Sequence, residues 1–513
     1  MAWISAGCIM LGICVRSASG QAAGDRTMPA HKSVARECQD SAPFRRDVDA
    51  EWLAVRDQYV YLSDRAVDWP LARSVYDGMA DTVHSKHELV GVLEQLLATL
   101  YDPHATLHAN TGESPRLVPS GLDFWAEWRG TDAVITAVRP GYSAEEAGVR
   151  PGMRVLAING VAVDAVADAR LGPAVRRPPT AAARQWALLS AAAGRHDTPR
   201  ALRVRDLSGQ EREVALDQPG HHVVDAPNTD QPVEFHQLSR LEVGASLGGE
   251  TAYGYIRLNA LADSRSVPAF DSALVALRNT RGLILDLRNT PGGGNTDVAE
   301  PILGRLIARA AGYQRVVPRN GPGYVRMARS RGPWTYTAPV VVLVGRWTGS
   351  MGEAMAIGLD GMHRAIVVGT PMAGLQGAVD DVTLPCSGIS LGLPTARLLH
   401  LDGTPRERWV PPIVVNFETV AARRRLAAVD RTASSLPDLV LERGLAILRS
   451  RRVLHSIRKC FAAGPCIGAD PAIPCDAGLR VTGHVELVGA PCRTPLKSSH
   501  NPMVSSKRKI GPP

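Results

Sequence analysis

Residues 338–355 read APVVVLVGRWTGSMGEAM, and this stretch decides the fold of the region around it. The run VVVLV predicts a buried strand, and the Ala/Met-rich run after it predicts a helix. Between the two runs a serine, Ser350, stands among Gly349, Met351 and Gly352, where the backbone can turn sharply. The sequence therefore predicts that Ser350 is displayed where a strand passes into a helix, either as an N-cap or as a nucleophile.

The flanking sequence extends this pattern into a domain. Apolar β-rich runs alternate with helical runs over residues 234–450: TAYGYIRLNAL, RGLILDLRNTPGGG, RAIVVGT and ISLGLPTARLL, with VAEPILGRLIARA and GEAMAIGLDGM among them. Such alternation predicts an α/β domain with a largely parallel sheet. Reactive groups then lie beyond the carboxyl ends of the strands.

Two further domains are predicted upstream. Residues 40–112 show apolar positions at three- and four-residue steps, which predict a helical N-terminal domain. Residues 113–217 resemble a PDZ domain in the order of strand, short helix, turn and strand, with the pairs Ala147-Gly148 and Pro151-Gly152 followed by Ile158-Asn159-Gly160. A PDZ domain captures peptide C-termini in a loop of backbone N–H groups. The expected loop is Ser120, Gly121, Leu122 and Asp123.

The ends of the chain carry other signals. Residues 1–23 resemble a secretory signal peptide, which predicts a periplasmic or secreted protein with no integral membrane segment after its removal. Residues 451–513 form a Cys/Pro-rich tail, expected to be partly disordered, in which a disulfide is expected among the last four cysteines. The net charge is +8, but no nucleic-acid-binding motif accompanies it, so no nucleic-acid partner is expected.

Three runs of the α/β region carry a family resemblance. They are LILDLRNTPGGG (283–294), VVVLVGRWTGSMGEAMAIGL (340–359) and AIVVGTPMAGLQG (365–377). Their sequences and their order resemble the C-terminal processing, or tail-specific, serine peptidases and their tricorn-type relatives. The resemblance implies a multidomain α/β protein with a PDZ domain and a crotonase-like peptidase core. It makes Ser350, three residues before Glu353, the nucleophile. The implied oxyanion donors are the N–H of Met351 and that of a glycine, Gly292 or Gly293.

The general base separates two branches of that family. One branch uses a lysine where this chain has Leu375, and no lysine occurs between Lys86 and Lys459. The tricorn-type branch uses a histidine in a pattern that LYDPHATL (100–107) fits, which makes His104 the base. The same branch uses a glutamate near the end of the core, which GTPRERWVPP (403–412) matches more loosely at Glu407, as the group that orients and supports the base.

The residues leave alternatives to this assignment. His104 and His108 stand four apart and could bind a metal, and His363 could serve as the base instead. The favoured interpretation is an exported serine peptidase that cleaves peptides or unfolded protein tails and needs no metal or organic cofactor. A relative that binds peptides or other ligands without turnover is the second interpretation, because fold resemblance alone does not establish activity.

Overall fold

The structure, a computed structural model, describes residues 38, 43–65, 67–172, 179–217, 231–238, 253–417, 438–450, 481–482 and 486–487. The predicted signal peptide lies outside these residues, as do the cysteines of the tail and most of residues 451–513. Two short tail segments, Val481–Thr482 and Glu486–Leu487, pair as antiparallel strands. No helix in the described ranges is both long and apolar enough to cross a bilayer.

The N-terminal region folds as three helices, Pro43–Gln58 (α1), Trp69–Ala80 (α2) and Lys86–Ala98 (α3). Side-chain caps fix where two of them begin, because Asp68 accepts a hydrogen bond from the N–H of Leu71 and Ser85 accepts one from the N–H of Glu88. The apolar faces of all three helices meet in one core. The chain then crosses strand Thr106–Leu107 (β1) on its way to the next domain.

The predicted PDZ-like region is a sheet of six strands in the order β2-β3-β4-β6-β7, with β5 paired to β4. Three helices accompany the sheet. The strands are Phe124–Arg129, Asp132–Val138, Arg154–Ile158, Val161–Ala162, Ala201–Arg205 and Glu211–Ala215 (β2–β7), and the helices are Ser143–Glu146, Val163–Arg170 and Ala181–Ala193 (α4–α6).

The core contains the predicted sheet, with strand order β17-β14-β13-β10-β9-β8 and parallel pairing except between β8 and β9. Its strands are Val233–Gln237, Gly254–Leu258 and Leu283–Asp286 (β8–β10), Val340–Val344 (β13), Ala365–Gly369 (β14) and Ile413–Val414 (β17). Three helices cover one face of this sheet: Ser266–Ala276, Thr296–Gly304 and Met351–Gly361 (α7–α9). Helix Leu439–Arg449 (α10) covers the other face. Alternate residues of β13 therefore enter two different apolar cores, which explains why its sequence is apolar throughout.

A second sheet of the core, antiparallel, was not predicted as a separate layer. It has the order β1-β16-β11-β12, with β15 paired to β16, and consists beyond β1 of Ala311–Pro318, Tyr324–Ala328, Ala378–Thr383 and Ser390–Leu399 (β11, β12, β15, β16). Helix α9 packs against β11, while β16 contributes Leu391 and Leu393 to the core of the helical domain. Short apolar runs do not reveal strand direction, so the sequence left these strands in the parallel sheet.

A disulfide joins Cys38 to Cys386, with a Cα–Cα distance of 5.4 Å. The loop that carries Cys386 is also held by Asp47 of α1, whose carboxylate accepts hydrogen bonds from the N–H groups of Cys386 (2.8 Å) and Ser387 (2.7 Å). The covalent link therefore ties the chain just before the helical domain to the second sheet. The disulfide expected within the tail stays a prediction, because those cysteines lie outside the described residues.

Candidate active site

Ser350 lies in a tight turn between β13 and helix α9. The hydroxyl of Thr348 accepts a hydrogen bond from the N–H of Gly345 (3.0 Å) and donates one to the carbonyl of Leu287 (2.8 Å), which pins the turn to the neighbouring strand. Ser350 has φ 50° and ψ −111°, a conformation that costs a non-glycine residue about 1–3 kcal/mol. Residues held in such conformations concentrate at functional sites, so the geometry favours a nucleophile over a simple N-cap.

The buried carboxylate of Glu353 holds this turn. Its Oε2 accepts hydrogen bonds from the N–H groups of Ser350 (2.8 Å) and Leu375 (3.2 Å), and its Oε1 accepts one from the N–H of Gly374 (2.9 Å). Burial raises the pKa of Glu353 to about 7, against the opposing effects of Arg406 and these N–H groups. Leu375, at the position where one branch has lysine, is itself buried. Glu353 thus ties the start of α9 to the loop that carries Gly374 and Leu375.

His104 reaches Ser350 from the segment between the helical domain and the PDZ-like domain. Its Nε2 lies 3.1 Å from the Ser350 hydroxyl oxygen, as the sequence analysis requires, and its Nδ1 lies 2.7 Å from the carbonyl oxygen of Gln376. A carbonyl can only accept, so Nδ1 carries the proton and Nε2 presents a lone pair to the serine hydroxyl. The pair is therefore arranged for proton transfer from Ser350 to His104.

The surroundings of His104 disfavour its charged form. Burial lowers the pKa of His104 to about 4, and the guanidinium of Arg406 acts in the same direction. The carbonyl of Gln376 and the carboxylate of Asp102 oppose this effect. The imidazole is accordingly neutral, and able to accept a proton, at neutral pH.

Residues of the helical domain fix the loop that carries His104. The buried carboxylate of Asp102 accepts a hydrogen bond from the N–H of His104 through Oδ1 (2.9 Å). Its Oδ2 accepts from the hydroxyl of Tyr59 (2.6 Å) and from Nη2 of Arg65 (2.9 Å). Arg65 also donates to the side chain of Gln376, whose carbonyl holds the imidazole. One network therefore positions both residues of the hydrogen bond between His104 Nδ1 and the Gln376 carbonyl.

Arg406 is a structural residue that the sequence analysis missed, although it stands next to the glutamate singled out there. Its guanidinium is buried and donates through Nη2 to the carbonyls of Leu375 (2.7 Å) and Gly377 (2.9 Å). Through Nη1 it also donates to the carbonyl of Ser350 (3.3 Å). Arg406 thus binds the loop that orients His104 to the turn that carries Ser350.

The structure does not bring Glu407 to the imidazole. Glu407 lies in the short 3-10 turn Arg406–Arg408, and in the part of the chain that the structure describes its Oε2 is buried without a hydrogen-bond partner. The position that the sequence analysis gave to this carboxylate is taken by the Gln376 carbonyl, because Nδ1 of His104 is already bonded there. A main-chain oxygen cannot be recognised in a sequence motif, which is why the residue type gave no signal.

The glycines of the loop 292–294 approach the nucleophile closely. Gly292 and Gly293 have φ of +134° and +68°, which a side chain would strain. A Cβ on Gly292 would lie 3.4 Å from the Cβ of Ser350, and one on Gly294 would lie 2.5 Å from the Cβ of Met351. Met351 is the first residue of α9, where an N–H has no partner within its helix. The residues expected to supply the oxyanion-hole donors therefore lie next to Ser350, and their role as donors stays a prediction.

The cleft beside Ser350 is a cavity of about 640 Å³. One wall is the start of α9 with the segment 294–296, and the other is the face of the second sheet. Strand β15 lies along its rim and pairs only with β16 among the described strands. A free strand edge beside a nucleophile is suited to binding an extended peptide.

The loop 120–123 of the PDZ-like domain is docked against the core. The N–H groups of Gly121 and Leu122 donate to carbonyls of their own turn, and the carbonyl of Leu122 accepts a hydrogen bond from the indole of Trp347 (2.7 Å). The carbonyl of Ser120 accepts one from Arg139 (3.0 Å). Asp123 is buried and paired with Arg200 (2.8 Å). Carboxylate capture by this loop stays a prediction, and it requires these turn bonds to open.

The other histidines lie away from Ser350. His363 is exposed just beyond the C-terminal end of α9, at the opposite end of the helix from the nucleophile. His108 is 44% exposed, and its Nδ1 lies 3.7 Å from a carboxylate oxygen of Asp381. The buried carboxylate of Asp286 and the guanidinium of Arg288 form an ion pair with a separation of 2.6 Å, just before the glycine loop in the chain.

Comparisons with known proteins match two parts of this chain to known families. Residues 252–414 match the family model of peptidase family S41, and residues 134–171 match that of the PDZ domain. The C-terminal processing peptidase of the Tetradesmus obliquus chloroplast is 25% identical over 369 residues, covering 67% of this chain and 71% of that protein. The carboxyl-terminal-processing protease of Synechocystis sp. is 25% identical over 403 residues, covering 72% and 82%. The crystal structure of mature CPAF covers 82% of this chain and 98% of its own, with a TM-score of 0.52 at 16% identity, a likeness of fold.

The fold and the matched domains define a serine-type peptidase, and they confirm the predicted multidomain α/β class with a PDZ domain. In particular, residues 252–414 match peptidase family S41, and the two relatives named above are C-terminal processing peptidases.

Proposed function

We propose that this protein is an exported serine peptidase that hydrolyses peptide bonds in peptides or unfolded protein tails. Ser350 is the nucleophile and His104 the general base. The observation that carries the proposal is the 3.1 Å contact between His104 Nε2 and the Ser350 hydroxyl, with Nδ1 held by a carbonyl. Nucleophile and base within hydrogen-bond reach, and the base oriented by a third group, are the signature of covalent catalysis.

In the acylation step, the hydroxyl oxygen of Ser350 attacks the substrate carbonyl carbon while its proton passes to Nε2 of His104. The imidazolium is stabilised by the Gln376 carbonyl and by the negative charge of Asp102. The N–H of Met351 and that of Gly292 or Gly293 bind the oxygen that becomes negative. Collapse of the tetrahedral intermediate breaks the C–N bond, and Nε2 gives its proton to the departing amine.

Deacylation repeats the sequence with water. Nε2 of His104 takes a proton from the water that attacks the acyl-enzyme, and returns it to Ser350 as the ester bond breaks. Burial of the imidazole keeps it neutral between these events. Glu407 retains the supporting role that the family pattern implies, as a carboxylate adjacent to Arg406 rather than in contact with His104.

The cleft and the PDZ domain together suit an extended peptide. A chain segment bound along the free edge of β15 passes Ser350, and the PDZ-like loop Ser120, Gly121, Leu122 and Asp123 is the proposed site for a peptide C-terminus. The Cys38–Cys386 disulfide supports export, since disulfides persist in oxidising compartments such as the periplasm.

Labelling with a fluorophosphonate probe, followed by cleavage of unfolded casein, tests the proposal. The wild-type protein is expected to take up label at Ser350 and to cleave casein, and Ser350→Ala to do neither. His104→Ala is expected to lose about 10²- to 10⁴-fold in rate, the usual contribution of a general base. His363→Ala, a change on the far end of the same helix, is the matched control and keeps full activity. Glu407→Gln measures the supporting role directly. Binding of peptides without label or cleavage by the wild type would instead establish a peptide-binding protein without turnover.

A further inference from the structure

The cleft beside Ser350 contains a buried polar group that the proposed reaction does not use. Gln314 is only 3% exposed, and its Oε1 has no hydrogen-bond partner in the described residues. The side chain nevertheless lines the same cavity as Ser350. A buried amide oxygen without a partner is rare in proteins, and each one calls for a functional or structural reason.

Strand β11 aims Gln314 into the cleft by means of an irregularity. The register of its pairing with β12 shifts between Gly312 and Gln314, as in a β-bulge. Tyr313 consequently remains in the apolar core, while Gln314, Val316 and Pro318 follow one another along the cavity wall. Bulges next to active sites commonly redirect a side chain in this way.

Apolar side chains from both walls line the cavity together with Gln314. Val316 and Leu398 lie on the sheet side, and Met351 and Ala354 lie on the helix side. Ser350 is the N-cap of α9 and Ala354 follows it by four residues, about one helical turn, and both line this cavity. Arg326, opposite Gln314 on β12, also lines the cavity, but its guanidinium is paired with Glu300 (2.6 Å). Nε of Arg406, which lines the same cavity, also lacks a hydrogen-bond partner in the described residues, but it lies 4.0 Å from the carboxylate of Glu353. Gln314 is therefore the neutral group among the buried side chains of this cavity that lack a partner.

We propose that Gln314 selects the substrate side chain next to the scissile bond, and that the preferred residue there is glutamine or asparagine. The inference rests on the proposed peptidase function and adds its substrate preference. An amide can donate to the buried Oε1 and accept from the NH₂ of Gln314, so it satisfies both halves of the group. An aliphatic side chain would fit the walls but leave Oε1 unpaired, and a site built to hydrogen-bond its ligand discriminates against such an analogue.

The test compares two peptides that differ only on the acyl side of the scissile bond, one with glutamine and one with leucine. The wild-type protein is expected to cleave the glutamine peptide with kcat/KM at least about tenfold higher, as the loss of one hydrogen bond at a buried group predicts. Gln314→Leu is expected to remove this preference and to cleave the leucine peptide faster than the wild type does. A misfolded variant cannot produce such a gain.

Arg315→Leu is the matched control, because Arg315 is the exposed neighbour on the same strand. It is expected to keep the wild-type preference. Equal cleavage of both peptides by the wild type, an acidic preference in cleavage sites mapped on unfolded proteins, or a preference that persists in Gln314→Leu would overturn the inference alone. If the wild type cleaves neither peptide nor unfolded protein, and Ser350 takes up no fluorophosphonate label, the proposed function fails and the inference fails with it.

Discussion

The imidazole of His104 is expected to remain a competent base far into the acidic range. Burial lowers its pKa to about 4, against an ordinary value of about 6.5, so the folded protein disfavours the imidazolium by about 3 kcal/mol. At pH 5.5 a base with a pKa of about 4 is about 97% neutral, whereas an unperturbed histidine would be about 9% neutral. We therefore predict that kcat/KM is nearly unchanged between pH 7 and pH 5.5 as far as His104 is concerned.

The assay is kcat/KM for an uncharged quenched-fluorescent peptide between pH 3 and 8, with circular dichroism at each pH to establish that the protein is folded. The rate of fluorophosphonate labelling provides a second readout that does not depend on peptide binding. Burial raises the pKa of Glu353 to about 7, so Glu353 titrates in the same pH range. Its titration adds a second limb to the pH profile of kcat/KM if its charge affects the rate. Glu353→Gln removes that group, so the limb of His104 is measured in the variant as well as in the wild type.

A limb with an apparent pKa between 6 and 7 that persists in Glu353→Gln would refute the reasoning, because it would show that the base is solvated. The same pKa has a consequence for stability. A histidine with a lowered folded pKa contributes stability that is present above the unfolded value of about 6.5 and is lost as the pH falls towards 4. Acidification should therefore lower the free energy of unfolding through His104 by up to about 3 kcal/mol, and His104→Ala should remove that part of the dependence.

Three further predictions concern the groups around the pair. Gly292→Ala forces a side chain into φ +134° beside Ser350 and should reduce kcat about 10²- to 10³-fold while KM changes little, unless Gly292 lies outside the oxyanion hole. Asp102→Asn removes a buried charge paired with Arg65, so thermal unfolding should show a free energy of unfolding lower by about 1–3 kcal/mol. Loss of this negative charge should also move the acid limb of His104 to lower pH. An unchanged limb would contradict the electrostatic argument. Cys38→Ser should lower the free energy of unfolding by about 2–5 kcal/mol and abolish the effect of reductant on the melting temperature, whereas insensitivity of the wild type to reductant would show that the bond is not formed.

Residue types in the sequence point to the side chains of the candidate site, and they carry no signal for its main-chain contacts. Ser350 and His104 could be paired in advance because a family pattern links them. The partner of His104 is a carbonyl of Gln376, and every residue has a carbonyl, so no residue type marks it. The family pattern instead assigned the contact with His104 to the carboxylate of Glu407. A motif shows which acidic residues occur near each other in the sequence, but it does not show which atom contacts the imidazole.

The fold shows the same division. The parallel strand β13 was predicted because a strand buried on both faces is apolar throughout, and it is. The antiparallel sheet around β16 was missed, since strand direction follows from connections that span the whole domain. The pairing of Cys38 with Cys386 likewise depends on two segments 348 residues apart that meet only in the folded protein.

The separation of base and nucleophile also determines when proteolytic capacity arises during biosynthesis. His104 and Ser350 lie 246 residues apart, and the loop of His104 is fixed by Arg65 and by Gln376 from opposite sides of that interval. A growing or translocating chain therefore possesses the base long before it possesses the nucleophile. The pair that we propose as catalytic therefore assembles only after the helical region has docked onto a completed core. If Ser350 and His104 act as proposed, a nascent chain cannot cleave its neighbours before both segments have emerged and met.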